Sequence, residues 1–439
     1  MPPATEHTGN GYRPMDEALR AAAADELRQR REAHTLAWRY YEGRHRRHFA
    51  FRPGEPDDHV TINLLRQAVD RTVAFLVPDF PGLELDERAE TGAERWLRAA
   101  WDAAGGARAL QKMARFGCLD GHVFVRVVPD APFPRLVILN PANVIAFWQA
   151  DDHERVLWYE VHWSAGGADF RQDIVRESMG DPAGGWLIRD WRREGESWVL
   201  TGEAGWPYAL GPVIDWQHDL APDRFYGAGE ALNLSLNDRV NRIASDMSRI
   251  LRFHAAPRTV GIGFEAEDVT ATAIDTLWTI NTPDAKVYNL EMSGDLSSSM
   301  GFLEFCARAF MAERRVVMLR GEAEDMRHLT NLGIRALFMD AIGRAAELRR
   351  GYAEGIIGLS RRLLMLNGMP HTGRISLNWP DALPVDSAEA VGVLARERAL
   401  GIISRETAAR SRGYDWLLER DRLRIEGETG LRDDGEGER

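Results

Sequence analysis

Residues 331–367 read NLGIRALFMDAIGRAAELRRGYAEGIIGLSRRLLMLN. Apolar side chains recur every three or four residues along the whole stretch, at Ile334, Leu337, Ala341, Ala345, Leu348, Tyr352, Ile356, Leu359, Leu363 and Leu366. This spacing predicts one amphipathic helix of roughly 50 Å, long enough to serve as a spine for the rest of the chain. Because glycine weakens a helix, Gly343, Gly351, Gly355 and Gly358 predict a bend, most plausibly between Gly351 and Gly358.

Two further helices and a small insertion precede this spine. The three-four spacing continues through residues 231–254 and about 299–319, which predicts a helix in each. Between them, Arg258–Phe264 and Lys286–Met292 have the composition of short strands, so residues 255–298 form a small α+β insertion. Residues 320–331 (RGEAEDMRHLTN) are polar and of mixed charge, which predicts a loop that joins the second helix to the spine.

The first half of the chain changes from helical to strand-like patterning. Helices are predicted at 15–41, 62–76, 92–103 and 107–118, after a flexible tail at 1–14. Eight short strands follow, at 122–128, 135–139, 144–148, 155–163, 169–176, 186–192, 197–200 and 213–218. Eight of the 14 tryptophans lie in this part, where they serve either a sheet core or the stacking of sugars or bases. Beyond the spine, we expect a lone strand at 374–379, helices at 387–398 and 405–426, and a disordered acidic tail at 427–439.

Composition excludes several classes of function. The chain has 439 residues, 44% of them hydrophobic and 28% charged, which is typical of a globular protein of two to four domains. A net charge of −12 argues against nucleic-acid binding through bulk positive charge. Neither lysine of the chain, Lys112 or Lys286, follows a glycine, so the phosphate-binding loop of ATPase motors is absent.

No catalytic spacing stands out in the sequence. The metalloprotease, paired-cysteine, serine-hydrolase and dinucleotide-binding motifs are all missing. Cys118 and Cys306 lie in apolar surroundings and are predicted to be buried, reduced thiols. We therefore expect no enzyme, no cofactor and no metal. No apolar run reaches the ~18 residues of a membrane span and no signal peptide is visible, so we expect a soluble protein made in the cytoplasm.

Four groups of motifs follow one another in a characteristic order. The first is WRYYEG at 38–43, with INLL at 62–65 and the helix through Val69 and Asp70; the second is LNPANV at 139–144. The third is YGAGE at 226–230 with LNDRVNRIASD at 236–246; the fourth is NWPDALP at 378–384 with GIISRET at 401–407. Together they resemble the portal (connector) proteins of tailed bacteriophages, in the siphophage-type branch, over about residues 30–426. Many members open the long helix with SG-x-A, where this chain has TNLGIRA at 330–336.

The resemblance implies a mainly helical α+β portal fold and a ring of about twelve copies at one capsid vertex. The resemblance also implies that double-stranded DNA is packaged and ejected through the channel of this ring. The implied parts are a wing at 15–230, stem helices at 231–254 and 299–319, a clip at 255–298, a tunnel loop at 320–331, a long wing helix and strand at 332–384, and a crown at 385–426. The implied partners are the large terminase subunit, the major capsid and scaffolding proteins and the head–tail adaptor, but no membrane. The location is the virion, and the host cytoplasm during assembly.

Three sets of site residues follow from these parts. DNA-channel residues are expected in the tunnel loop, at Glu324, Asp325, Arg327, His328, Thr330 and Asn331. A subunit interface, or otherwise a wet surface, is expected on the first stem helix at Asn237, Asn241, Arg242, Ser245 and Arg249. Residues that face the motor and adaptor are expected in the clip at Glu265, Glu267, Asp268, Asp284 and Lys286. The alternatives are another phage head, minor capsid or adaptor protein and, from a different class, a metal-dependent nucleic-acid enzyme using Asp151 and Asp152.

Overall fold

The structure is a computed structural model that mixes helices and strands. It describes residues 17–47, 57–86, 91–149, 152–176, 185–255, 258–262, 286–290, 296–318, 331–383 and 387–433. The chain divides into two compact units. Unit 1 takes residues 1–37, 69–231 and 319–439, and unit 2 takes residues 38–68 and 232–318. The sequence assigned 38–68 to the wing, whereas the structure groups this segment with the predicted stem and clip.

Apart from the short strand Gly82–Leu85, the elements of the first part of the chain match the predicted order. They are α1 (Glu17–Tyr41), α2 (Leu64–Leu76), β1 (Gly82–Leu85), α3 (Thr91–Ala103), α4 (Gly106–Asp120), β2 (His122–Val128), β3 (Arg135–Leu139), β4 (Val144–Gln149), β5 (Asp152–Ala165), β6 (Ala168–Arg176), β7 (Trp186–Glu194), β8 (Ser197–Trp206) and β9 (Val213–Gln217).

The second part contains α5 (Leu234–Ala255), β10 (Arg258–Ile262), β11 (Lys286–Leu290), α6 (Ser297–Ala312), α7 (Asn331–Leu337), α8 (Met339–Leu366), β12 (Ile375–Asn378), α9 (Ser387–Ala399), α10 (Arg405–Ser411) and α11 (Trp416–Asp433). The last helix continues to Asp433, into the stretch from residue 427 for which the sequence predicts disorder.

Unit 1 contains two larger antiparallel sheets. β4 to β8 form a five-stranded meander, and β2 lies between β3 and β9 in a three-stranded sheet. One apolar core includes residues from both, among them Phe124, Tyr159, Trp186 and Trp206. Burial of Trp186 and Trp206 agrees with tryptophans that fill a sheet core, which was the first of the two roles considered for them.

The predicted lone strand has a partner. β12 pairs antiparallel with β1, with Gly82 opposite Asn378 and Leu85 opposite Ile375. The sequence reading did not include β1, since four residues give too short an alternation to predict a strand. The expected lone strand is therefore one half of a two-stranded sheet.

The spine is helical almost throughout and is divided once near its start, while the predicted bend between Gly351 and Gly358 stays a prediction. The break between α7 and α8 falls at Phe338, whereas α8 runs without interruption through residues 351–358. Gly355 instead allows close packing, because a Cβ atom there would lie 2.6 Å from Cδ2 of Trp216 in β9. The sequence predicts that these glycines bend the helix. Gly355 has a different role, because only glycine lets α8 lie this close to the sheet.

Candidate functional site

Unit 2 is built around an antiparallel pair of helices, α5 and α6. The amide nitrogen Nδ2 of Asn233 donates to Oε2 of Glu313 at 3.1 Å, which places the start of α5 beside the end of α6. The guanidinium of Arg314 donates to the carbonyl oxygen of Leu232 at the same end, and lies 3.6 Å from the centre of the Phe310 ring. Between the two helices in sequence, β10 and β11 form an antiparallel two-stranded sheet. The predicted helix–insertion–helix order is therefore present.

The polar row on α5 faces inward, toward the extended segment 57–63. Asn241 Oδ1 accepts from the backbone N–H of Ile62 at 2.8 Å, and Asn237 Nδ2 donates to the carbonyl of Ile62 at 2.8 Å. Ser245 Oγ accepts from the backbone N–H of Val60 at 3.0 Å. A segment without regular structure needs partners for its backbone groups, and this row supplies them. The three side chains, predicted to lie in a subunit interface, are thus buried within their own chain.

The two arginines of the predicted interface differ from each other. Arg249 lies 3.8 Å from a carboxylate oxygen of Asp58, which also pairs with Arg252 at 2.8 Å. Arg242 is exposed on the outer side of α5. A role for Arg242 and Arg249 at a subunit contact stays a prediction.

The outer side of α6 carries aromatic residues that the sequence reading did not single out. Phe302 and Phe305 are 50% and 60% exposed, and their rings stack with centres 6.3 Å apart. On the opposite side, Ala307 and Met311 are buried. The sequence contains a signal for this surface: apolar residues cover most of the circumference of α6 and leave only the side of Glu304 and Arg308 polar, which is typical of a helix that is covered on more than one face.

The base of the predicted tunnel loop lies in unit 1. The structure describes only Asn331 of the predicted channel residues, as the first residue of α7. Behind it, Arg335 of α7 pairs with Asp381, and the ring of Phe338 stacks on Phe75 at 5.6 Å between centres. Outside the described residues lie Glu324, Asp325, Arg327, His328 and Thr330.

A half-buried arginine fixes α8 just beyond this base. Arg349 donates to the backbone carbonyls of Phe75 at 2.9 Å and Leu76 at 3.1 Å, at the end of α2, and its guanidinium lies 5.1 Å from the centre of the Trp379 ring. Burial lowers the pKa of Arg349. The pKa of Asp381 is lowered, because hydrogen bonds from Arg335 and from backbone amides outweigh the opposing effect of burial. Charged contacts therefore hold both α7 and α8, on either side of the break at Phe338.

On either side of Arg349, Arg344 and Tyr352 of α8 take part in a largely buried polar cluster of unit 1. Arg344 contacts Asp219 at 2.9 Å and Glu230 at 3.1 Å, while Nδ1 of His218 lies 2.9 Å from the hydroxyl of Tyr352. Burial alone would raise the pKa of Glu230, but the hydrogen bonds and charges of His218 and Arg344 hold it below its usual value. Burial raises the pKa of the Tyr352 phenol. The cluster ties the end of the 218–230 segment to the spine, directly before residue 232, where unit 2 resumes.

The predicted clip residues can be placed only in part. Lys286 is the first residue of β11 and is exposed. Glu265, Glu267, Asp268 and Asp284 lie outside the described residues, as does Asp151 of the alternative metal site.

The described part of the chain contains no group of three or more His, Cys, Asp or Glu side chains that could hold a metal ion. Cys118 and Cys306 are buried and free, as predicted. Among the helices of the described residues, none is both long enough and apolar enough to cross a membrane.

No family model matches the sequence, and no curated protein matches it. Among solved structures, the chain is similar to one from the neck of an empty gene transfer agent particle computed with C6 symmetry. The identity is 16% and the TM-score 0.48, over 82% of this chain and 94% of that chain. The chain is also similar to one from the neck of a native gene transfer agent particle computed with C12 symmetry. Here the identity is 15% and the TM-score 0.47, over 80% of this chain and 90% of that chain.

A chain from the virion of the native gene transfer agent particle is similar over 88% of this chain and 99% of its own length, with 15% identity and a TM-score of 0.43. These neighbours are thus neck and virion components of phage-like particles. Because all three TM-scores lie below 0.5, we base the proposed function on the residues and elements of the chain itself.

Proposed function

We propose that this chain is a phage-type portal protein, which forms a ring of about twelve copies around a channel for double-stranded DNA. One observation carries the proposal: in unit 2 an antiparallel helix pair encloses a two-stranded insertion, and the chain then passes through a polar segment into the longest helix of unit 1. The same elements carry the motifs that resemble the portal family. A helix pair with an insertion, followed by a polar segment and a long helix, is the order that the resemblance to portal proteins implies.

Each part has a proposed role. α5 and α6 form the stem, and the insertion between them forms the clip, which meets the large terminase subunit during packaging and the head–tail adaptor afterwards. Residues 320–331 form the tunnel loop. The rest of unit 1 supplies the wing and the crown, which contact the major capsid and scaffolding proteins. We propose no catalytic residue, metal or cofactor, because the task of this chain is to let DNA pass.

The charge of the chain supports a sliding channel. Contacts with phosphates dominate the affinity of proteins for DNA, so a channel lined densely with cations would hold the duplex in place. The formal charge of −12 avoids such a grip. Occasional basic residues in the tunnel loop, Arg327 and His328, would then give brief phosphate contacts.

Ring formation is the first expected result. Purified protein should have about twelve times the 49.4 kDa mass of one chain in mass photometry, and negative-stain images should show rings with a central hole wide enough for duplex DNA. A monomer that cleaves DNA in the presence of a divalent metal would favour the enzyme alternative. An oligomer without a central hole would favour another head or adaptor protein.

The tunnel loop gives a second prediction. Replacing Arg327 and His328 together by alanine should lower the share of DNA-filled particles without reducing ring formation, because two phosphate contacts are lost from the channel. The measurement is packaged DNA per particle in a complementation assay. Arg108→Ala, on the exposed side of α4, is the matched control that removes a cation elsewhere. Unchanged packaging and retention in the double variant would contradict the role of these two residues.

A further inference from the structure

The helix pair of unit 2 presents two outer surfaces of different chemistry. On α6, an outer row runs along Phe302, Phe305, Ala309 and Ala312, at the spacing of one helix face, on the side away from the buried Ala307 and Met311. Phe302 and Phe305 are half or more exposed, and only small residues follow them in the row. Removing such rings from water is favourable, so the row is suited to a partner surface.

On α5, the outer row has the opposite character. Arg239 and Arg242 are exposed and lie on the side of α5 away from the buried Asn237 and Val240. Neither has an ion-pair partner within the part of the chain that the structure describes. Asp246 continues the same row one turn further on. This surface offers guanidinium groups that can stack on aromatic rings.

The two rows lie at matching heights along the helix pair. Heights can be counted from the contact between Asn233 and Glu313, where the start of α5 meets the end of α6. Arg242 is nine residues from that contact, or about 14 Å along the axis, and Phe305 is eight residues from it, or about 12 Å. Side-by-side copies of the pair would therefore bring Arg242 of one copy level with Phe305 of the next.

We propose that the outer row of α5 in one copy, Arg239 and Arg242, docks on the outer row of α6 in the next copy, Phe302 and Phe305. The inference rests on the proposed ring, which needs two different surfaces on each copy, repeated around an axis. A second copy is the occupant that fits, because both halves of the contact occur on the same chain at the same height. Arginine over an aromatic ring is favourable, and both residue types are enriched at interface cores.

Cysteine cross-linking tests this arrangement. The double variant Arg242→Cys with Phe305→Cys should, under mild oxidation, give a ladder of two, three and more linked chains on a non-reducing gel. Each single variant should give none, because the contact joins two different surfaces. The parent chain should give no cross-linked species, since both of its cysteines are buried. The matched control pairs Arg242→Cys with Ala312→Cys. Ala312 lies in the outer row of α6, but only about 1.5 Å along the axis from Glu313, whereas Arg242 lies about 14 Å from Asn233. The two cysteines would therefore be too far apart to form a disulfide.

The outcomes separate this contact from the ring itself. A ladder in the double variant alone supports the proposed docking. Rings in negative stain without a ladder overturn the docking but leave the portal proposal intact. Dimers from either single variant indicate a two-fold contact between identical surfaces and also overturn it. A parent chain that stays monomeric overturns the portal proposal, and the docking with it.

Discussion

Replacing Arg344 by methionine is expected to lower the free energy of unfolding by about 3–5 kcal/mol, because it leaves a buried carboxylate without its cation. Arg344 holds Asp219 and Glu230 at once, and Glu230 is 4% exposed. Methionine keeps most of the side-chain volume, so the loss reflects charge rather than a cavity. The measurement is urea unfolding at neutral pH, monitored by tryptophan fluorescence.

The same variant should respond differently to acid. In the parent chain the pKa of Glu230 is held below its usual value of 4.5, so its contribution to stability is present above that value and is lost as the pH falls through the lower, folded-state pKa. Without Arg344 the effect of burial prevails and the pKa of Glu230 rises. Protonation then relieves the buried charge, and the deficit of the variant should shrink as the pH falls from 7 toward 4.5.

Arg335→Met is the matched control for Arg344. Arg335 lies on α7 and pairs with Asp381, but both side chains are more than a third exposed. An exposed pair contributes about 0–1 kcal/mol, so this loss should be small and should vary little with pH. Equal losses from the two variants would mean that the cluster around Glu230 is not the structural tie inferred here.

Gly355→Ala is expected to lower the free energy of unfolding by about 2 kcal/mol, despite the higher helix propensity of alanine. The added Cβ would lie 2.6 Å from Cδ2 and 2.8 Å from Cζ3 of Trp216, so α8 or the indole must shift. Trp216 is itself buried and has little room to yield. Thermal melting and urea unfolding measure the effect.

Gly343→Ala provides the opposite result on the same helix. A Cβ atom at Gly343 would have no neighbour within 4 Å, so alanine should stabilise α8 by about 0.5–1 kcal/mol. If Gly355→Ala also stabilised the protein, the close packing of α8 on β9 would be refuted. The two variants thus separate a glycine required by packing from one that only weakens its helix.

Much of the secondary structure was predictable, because its signals are local. The three-four spacing gave α8, and the alternation between turn residues gave β2 and β3 at their observed bounds. The pairing of β1 with β12 was not predictable, since its two strands lie almost 300 residues apart and each has only four residues. The pairing of these strands depends on tertiary packing, which the sequence of neither short segment indicates.

The site was less predictable than the fold. Asn237, Asn241 and Ser245 form a polar row, and polar rows usually face water or a partner. In the structure, this row forms hydrogen bonds with backbone groups of residues 57–63. That this segment needs such partners is apparent only from the folded chain. The exposed aromatics of α6, by contrast, could have been found from the sequence, because apolar residues cover all of α6 but the side of Glu304 and Arg308.

The division of the chain has a consequence for synthesis. Unit 1 is assembled from three separate stretches, and β1 must wait for β12 before it has a partner. The hydrogen bond between Trp101 of α3 and Ser360 of α8 spans a similar distance along the chain. Contacts this distant form late and slowly, so a nascent chain exposes the apolar sides of α3 and β1 until most of the polypeptide has left the ribosome. Unit 2 needs nothing beyond residue 318, and its helix pair can therefore be complete first.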